Sequence, residues 1–225
     1  MLGRRPFPRV KVCGITRPAD AQTAARAGAH FIGLVFYERS PRYVPDDQAA
    51  AVLAALPDPV TPVAVLVDPS PERLAAIYRL GIRWVQLSGH EPPDFVKSLR
   101  ARWPDLQVVK ALHVATRADA DRAGDYVGLV DGFLLDARQA GRYGGTGTAF
   151  DWTLVADWSY GPYLLAGGLS IDRLPEAWAW WQAHPACVGF DLSSALEARP
   201  GVKDPAKIRD FFRLYDRLKG MTSDE

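Results

Sequence analysis

Short runs of Val, Ile, Leu and Phe recur along the chain, and each is followed by a longer segment in which apolar residues return at helical spacing. The first pattern belongs to strands buried on both faces and the second to helices with one apolar side. Their alternation predicts parallel strands joined by right-handed helical crossovers. Eight such units are read, with strands at Arg9 to Cys13, His30 to Val35, Pro62 to Val67, Trp84 to Leu87, Val108 to Ala111, Leu129 to Leu135, Tyr163 to Ala166 and Val188 to Phe190. The expected helices lie around Asp20 to Ala27, Asp46 to Leu56, Pro71 to Arg79, Pro93 to Arg102, Thr116 to Ala123, Asp151 to Ala156, Ile171 to Gln182 and Pro205 to Leu218. Asp46, Ser70 with Pro71, Thr116, Ser170 and Asp204 with Pro205 stand where helix caps and first-turn prolines belong. The fold class expected is α/β, a single-domain (β/α)8 barrel over residues 1–225, with flexible ends at 1–8 and 219–225. An open doubly wound sheet shares the alternation, but no G-x-G-x-x-G follows the first strand.

Composition narrows the function classes. The chain has 225 residues, 48% of them apolar, enough for one continuous core, and no low-complexity linker divides it. Its formal charge is +1 with acids and bases interspersed, so no electrostatic footprint for nucleic acid or a membrane surface is expected, and the partner expected is a small molecule. Cys13 and Cys187 are the two cysteines, far apart and without metal-ligand spacing, so neither a disulfide framework nor a metal site is expected. Arg4 and Arg5 are followed by no apolar signal segment, and a cytoplasmic protein is the expectation.

In a barrel of this kind the active site is built at the C-terminal ends of the strands. Cys13 ends the first expected strand, and Lys11, two residues earlier, projects to the same side, where an ammonium favours thiolate. Cys13 is equally readable as a small buried hydrophobe. Asp136 follows the apolar run Phe133-Leu134-Leu135. It can cap the next turn through its own backbone, or serve as a proton donor whose neutral form is favoured by desolvation. Gly144, Gly145, Thr146 and Gly147 form a glycine-rich run, while Gly167-Gly168 and Ser193-Ser194 precede helical segments, so together they offer a phosphate seat. Arg42, in Ser40-Pro41-Arg42, is either a solvated cation or a bidentate grip on a carboxylate or phosphate. Asp191 either caps a short helix or accepts from a sugar hydroxyl. His30 and His184 read as structural, His113 as ambiguous, and the tryptophans of Ala177-Trp178-Ala179-Trp180-Trp181 as a helix packing face.

At these residues the chain resembles the phosphoribosylanthranilate isomerase family of tryptophan biosynthesis. The matching blocks are Lys11-Val12-Cys13-Gly14-Ile15-Thr16, Ser40-Pro41-Arg42-Tyr43-Val44, Val85-Gln86-Leu87, Gly144-Gly145-Thr146-Gly147 with Phe150-Asp151-Trp152, Leu165-Ala166-Gly167-Gly168-Leu169, Asp191-Leu192-Ser193-Ser194 and Pro200-Gly201-Val202-Lys203-Asp204. The resemblance implies an Amadori rearrangement of N-(5-phosphoribosyl)anthranilate to 1-(2-carboxyphenylamino)-1-deoxyribulose 5-phosphate, without cofactor or metal. It implies Asp136 as general acid and Cys13, as thiolate, as general base. Arg42, Asp191, Lys11 and Ser88 would face the substrate, and the three turns would hold its phosphate.

Two positions depart from the family pattern. Ser88 stands where the block Val-Gln-Leu-His-Gly-x-Glu has histidine, with His90 two residues on, and Ala195 stands where glycine is preferred. Ala195 is comfortable only with negative φ. A related phosphosugar isomerase or synthase barrel, and a phosphate-binding barrel that has lost its chemistry, are the alternative readings.

Overall fold

A computed structural model describes residues 7–137 and 151–223. Eight strands, β1 (Arg9–Cys13), β2 (Phe31–Val35), β3 (Thr61–Leu66), β4 (Trp84–Leu87), β5 (Gln107–Val114), β6 (Gly132–Ala137), β7 (Tyr163–Leu165) and β8 (Cys187–Leu192), pair in chain order and close into a barrel. Every neighbouring pair is parallel, including the closing pair of β1 with β8, so the sheet keeps no open edge. Around it lie α1 (Pro18–Ala27), α2 (Asp46–Ala54), α3 (Pro71–Arg79), α4 (Pro93–Arg102), α5 (Arg117–Asp121), α6 (Leu174–Ala183) and α7 (Pro205–Ser223).

Strand periodicity sorts the core into two shells. Val10, Val12, Ile32, Leu34, Val85, Leu87, Leu135 and Leu165 point outward and pack with the helices. Phe31, Val63, Val109, Leu134, Leu164 and Val188 fill the lower interior, and Cys13, Val35 and Val65 form a smaller apolar group with Tyr37 packed against it. Since Leu112 and Val114 face the helices, His113 between them faces inward; the same parity sends Asp136 inward beside Leu135.

Several expected boundaries move. Thr116 caps α5 in a reciprocal capping box with Asp119, but the α-helical part is five residues long and passes into a 3-10 turn at Arg122–Tyr126. The helix expected at Asp151 to Ala156 is a single 3-10 turn, Trp152–Val155. Ser170 caps nothing, because α6 starts only at Leu174, after Arg173. Asp46 lies inside the first turn of α2 rather than at its cap and binds Arg73, whereas Ser70 and Asp204 do accept from the first-turn amides of α3 and α7. The sequence pattern did not foresee the small antiparallel hairpin β9 (Glu197–Arg199) and β10 (Val202–Lys203). The last helix continues past Leu218 to Ser223, and at the other end Pro8 is held by a hydrogen bond from the Tyr215 hydroxyl.

The strands that carry the chemistry are longer than their apolar runs indicate. β5 extends to Val114, β6 to Ala137 and β8 to Leu192, so His113, Asp136 and Asp191 are strand residues rather than loop residues. Their backbone ladders fix them in register: His113 opposite Asp136, and Lys11 opposite Asp191.

Candidate active site at the barrel mouth

The C-terminal ends of the strands surround a cavity that is partly open to solvent. Its lining includes Cys13, Arg42, Ser88, Asp136, Asp191 and Ser193, drawn from strands all around the ring.

The thiol of Cys13 sits at the end of β1, opposite Gly33 of β2. A Cβ at Gly33 would stand 2.7 Å from Sγ, so only glycine leaves the sulfur its place. Burial pushes the thiol up from its ordinary value; Lys11 and Lys203 pull it down and Asp191 pushes it up further. Lys11 acts in the direction expected of a nearby ammonium, favouring the thiolate. The cation is present, but desolvation outweighs it. Lys11 itself is buried and donates to Gln86 Oε1 and Asp191 Oδ1, both at 2.9 Å. Burial works against its charge, yet Asp191 and Cys13 together hold its pKa above the ordinary lysine value. Lys11 serves the interior of the barrel and is not part of the cavity lining.

Asp136 titrates at about 7, raised first by desolvation and then by the charge of Asp191, against a backbone donor at Ala137 and the charge of Lys11. Its Oδ1 accepts from Ala137 N at 2.8 Å, so the local backbone bond anticipated for a capping aspartate exists alongside its place in the cavity. Gly167, at φ +72°, gives this carboxyl its room: a Cβ there would stand 2.9 Å from Asp136 Oδ1 and 2.5 Å from Ala137 N. Both reactive groups thus lie beside a glycine of the neighbouring strand or its end.

Arg42 reaches the cavity wall but is not a free cation. Its Nε and Nη2 donate to the two oxygens of Glu197 at 2.8 and 2.7 Å. Glu197 Oε1 also accepts from Lys203 Nζ at 2.9 Å, and Lys203 donates to the Ser193 carbonyl at 3.0 Å. Burial alone would raise the Glu197 carboxyl, but Arg42 and Lys203 hold it below the usual carboxylate range. Lys203 is itself lowered, chiefly by burial. Two cations around one carboxylate leave a net positive charge beside the β8 loop. No sequence motif announced Glu197 or Lys203; the second lay inside a matched block but carried no assigned role.

The two departures from the family pattern resolve differently. Ala195 lies in the short 3-10 turn Ser194–Leu196, and Asp68 is the one non-glycine residue of positive φ among those described, so alanine is comfortable there. Ser88 is buried and accepts a hydrogen bond from Gln86 Nε2 at 3.0 Å. The ring of His90 turns outward, 75% exposed, with Nδ1 3.8 Å from Asp68. The imidazole in the cavity is instead that of His113, whose Nε2 is 3.2 Å from the Ser88 carbonyl.

Of the expected phosphate turns, Gly144, Gly145, Thr146 and Gly147 lie outside the described residues. Gly167 and Gly168 follow β7 with φ of +72° and +73°, seven and six positions before the start of α6 rather than at its N-terminus. Ser193 lines the cavity and donates from Oγ to the Cys13 carbonyl at 3.2 Å, while Ser194 begins only a three-residue turn. Backbone amides, not a long helix dipole, are what these turns offer. Among the described residues no group of three or more His, Cys, Asp and Glu is placed to hold a metal ion, and no helix is long and apolar enough to cross a membrane.

A closed eight-stranded parallel barrel with a thiol and a carboxyl facing one mouth cavity places the chain in the class of (β/α)8 enzymes. The family profile described as N-(5'phosphoribosyl)anthranilate (PRA) isomerase matches residues 10–214. The chain belongs to this family of isomerases. It is 38% identical over 212 residues to the N-(5'-phosphoribosyl)anthranilate isomerase of Zymomonas mobilis subsp. pomaceae, covering 93% of this chain and 99% of that one. The crystal structure of the phosphoribosyl anthranilate isomerase of Thermotoga maritima superposes with a TM-score of 0.83 at 33% identity, over 94% of this chain and 100% of that one. A phosphoribosyl anthranilate isomerase in complex with reduced 1-(o-carboxyphenylamino)-1-deoxyribulose 5-phosphate superposes with a TM-score of 0.78 at 30% identity, over 94% and 100%.

Proposed function

We propose that this chain isomerises N-(5-phosphoribosyl)anthranilate to 1-(2-carboxyphenylamino)-1-deoxyribulose 5-phosphate, with Asp136 as general acid and Cys13 as general base. The observation that carries this reading is that one cavity is lined by both groups, and that the carboxyl titrates near neutrality because it is desolvated.

Protonated Asp136 gives its proton to the ribose ring oxygen as the bond from that oxygen to C1 breaks, and the amine lone pair forms an iminium ion. The Cys13 thiolate removes the C2 proton, and the electron pair of that C–H bond flows into the iminium, giving an enolamine. Tautomerisation places the ketone at C2, and exchange with solvent restores both groups. The substrate's own nitrogen is the electron sink. Each proton transfer of this kind contributes about 10² to 10⁴-fold. The positive charge of the iminium also favours thiolate in its neighbourhood, offsetting part of the burial that raises Cys13.

Position supports the remaining roles. Asp191 and Ser88 line the cavity within reach of a ligand, and Lys11 holds Asp191 from beneath. The guanidinium donors of Arg42 that Glu197 leaves unused suit the anthranilate carboxylate. Val35, Val65 and Tyr37 offer its ring an apolar wall. The phosphate falls to Ser193, Ser194, Gly167, Gly168 and the run Gly144 to Gly147.

Purified chain mixed with N-(5-phosphoribosyl)anthranilate is expected to quench the substrate's fluorescence catalytically. Asp136→Asn and Cys13→Ser should lose turnover while still binding the reduced product analogue in calorimetry. Near-normal turnover in both variants would overturn the assignment.

A further inference from the structure

We propose that Gln86 is a positioning residue that fixes the Ser88 hydroxyl as a hydrogen-bond donor to the carboxylate of the ligand, a role that rests on the functional reading above. Three observations carry it. Lys11 on β1, and Gln86 and Ser88 along β4 and its end, face the barrel interior, because Val10, Val12, Val85 and Leu87 between them pack with the helices. Lys11 Nζ donates to Asp191 Oδ1 and to Gln86 Oε1, both at 2.9 Å, and Gln86 Nε2 donates to Ser88 Oγ at 3.0 Å. Among the described residues no acceptor takes the Ser88 hydroxyl proton, although Ser88 is buried and lines the mouth cavity.

The polarity of this chain of bonds is set from one end. An ammonium only donates, so the carbonyl end of Gln86 turns to Lys11 and its NH2 end to Ser88. The Ser88 oxygen then accepts from beneath, and its own proton is directed elsewhere. A chain that begins at the Asp191 carboxylate on β8 therefore ends in a donor after β4. The low dielectric of the interior strengthens each bond, and with it the preference for this direction.

A buried donor requires an acceptor. In N-(5-phosphoribosyl)anthranilate three groups accept without donating: the ribose ring oxygen, the phosphate and the carboxylate. Asp136 is assigned to the first. The turns after β7 and β8 are assigned to the second, and β4 stands across the ring from β8. The carboxylate remains, and the place of its ring agrees. Val35, Val65 and Tyr37, from β2, β3 and the end of β2, form the wall proposed for the aryl ring. Arg42 borders that wall in the loop after β2, and Ser88, whose amide donates to the Leu66 carbonyl of β3 at 2.8 Å, borders it on the other side. A carboxylate has lone pairs enough for both.

The test compares two ligands, the reduced product analogue and its phenylamino counterpart without the carboxylate. Ser88→Ala should weaken the first about tenfold in calorimetry, the order expected for one lost hydrogen bond to a charged group, and leave the second unchanged. Gln86→Glu isolates the positioning role. The introduced carboxylate still accepts from Lys11 but draws the Ser88 proton down, so that lone pairs face the ligand. Affinity for the carboxylated analogue should then fall beyond the Ser88→Ala loss. In the Ser88→Ala background the Gln86→Glu effect should shrink, because only the added charge still acts. Equal Gln86→Glu effects in the two backgrounds would overturn the proposal. So would unchanged affinity for the carboxylated analogue in Ser88→Ala, or an equal loss for both ligands, the mark of a general disturbance of the mouth. Should Gln86→Glu fold poorly, Gln86→Met, which frees the hydroxyl to rotate, is read in the same two backgrounds by the same criterion. Absence of turnover in the wild-type chain would sink the functional reading itself, whereas an active wild type with an indifferent Ser88→Ala sinks only the role of Gln86 and Ser88.

Discussion

The two ends of the barrel hold similar residue types in opposite conditions. At the N-terminal end, Cys187 is a buried thiol against the Gly189 carbonyl, the Tyr163 hydroxyl accepts from Trp180, and the Phe31 ring packs against Arg9 and Trp84. The Cys187 thiol and the Tyr163 hydroxyl there each meet a hydrogen-bond partner. At the C-terminal end, Cys13 and Asp136 are desolvated, and on both of them Asp191 works against the charged form while Lys11 works for it. On the proposed roles the proton-exchanging groups stand at the C-terminal end, since a group poised to exchange a proton cannot also be fully satisfied in one protonation state.

The largest effect should come from Asp136→Asn, which is expected to reduce turnover by about 10² to 10⁴-fold. The same change should stabilise the protein at neutral pH. A carboxyl raised to about 7 in the folded state and near its ordinary value when unfolded favours folding below the unfolded value. That contribution is lost as pH rises through about 7, so melting temperatures at about pH 5 and about pH 8 should differ less in Asp136→Asn than in wild type. Loss of activity accompanied by loss of stability would break the contrast between the two ends.

Glu197→Gln should follow. Removing one partner of a buried ion pair costs about 3 to 5 kcal/mol, and here it also releases Arg42 and the Ser193 loop, so KM should rise together with a fall in denaturation midpoint. Restoration by Glu197→Asp would assign the effect to the charge.

The pH profile of kcat/KM sharpens the comparison further. In the proposed mechanism the productive pair is neutral Asp136 with thiolate Cys13, yet the carboxyl is pushed up to about 7 and the thiol above its ordinary value. Activity should therefore rise with pH up to about 7, as the thiolate fraction grows while Asp136 stays protonated. It should then stay level, because further thiolate is offset by lost carboxylic acid, and fall once the thiol itself has titrated. Ultraviolet thiolate absorbance, compared with that of Cys13→Ser, should appear only on the basic limb. Thiolate already present at neutral pH would show that Lys11 and Lys203 outweigh burial after all.

Smallest effects are expected away from the mouth. Cys187→Ala should leave turnover unchanged and cost about 1 kcal/mol of stability through lost packing. His90→Ala, with its ring in solvent, should change neither stability by more than about 0.5 kcal/mol nor KM. A substantial KM effect there would return His90 to the site.

Much of this was legible in the chain itself. The alternation of apolar runs and helical spacing specifies a parallel barrel, because a strand covered on both faces has no polar side. Ser70, Thr116 and Asp204 are readable as caps since their bonds close within three residues. Cys13 and Asp136 were readable because each ends an apolar run. His113 was not, for Leu112-His113-Val114 breaks the apolar run while remaining in the ladder. The Arg42–Glu197 contact was not legible either, since it joins residues 155 apart in sequence.

Periodicity and local bonding, both short-range, therefore determined the strands, the order of the barrel and which residues end its strands. Register, and with it the neighbours of each reactive group, was decided only by closure of the sheet. It is closure that sets Gly33 against the thiol, Gly167 against the carboxyl and His113 alongside Asp136. Burial then fixed their protonation, because the free energy of a charge depends on everything packed around it and not on its neighbours in the chain.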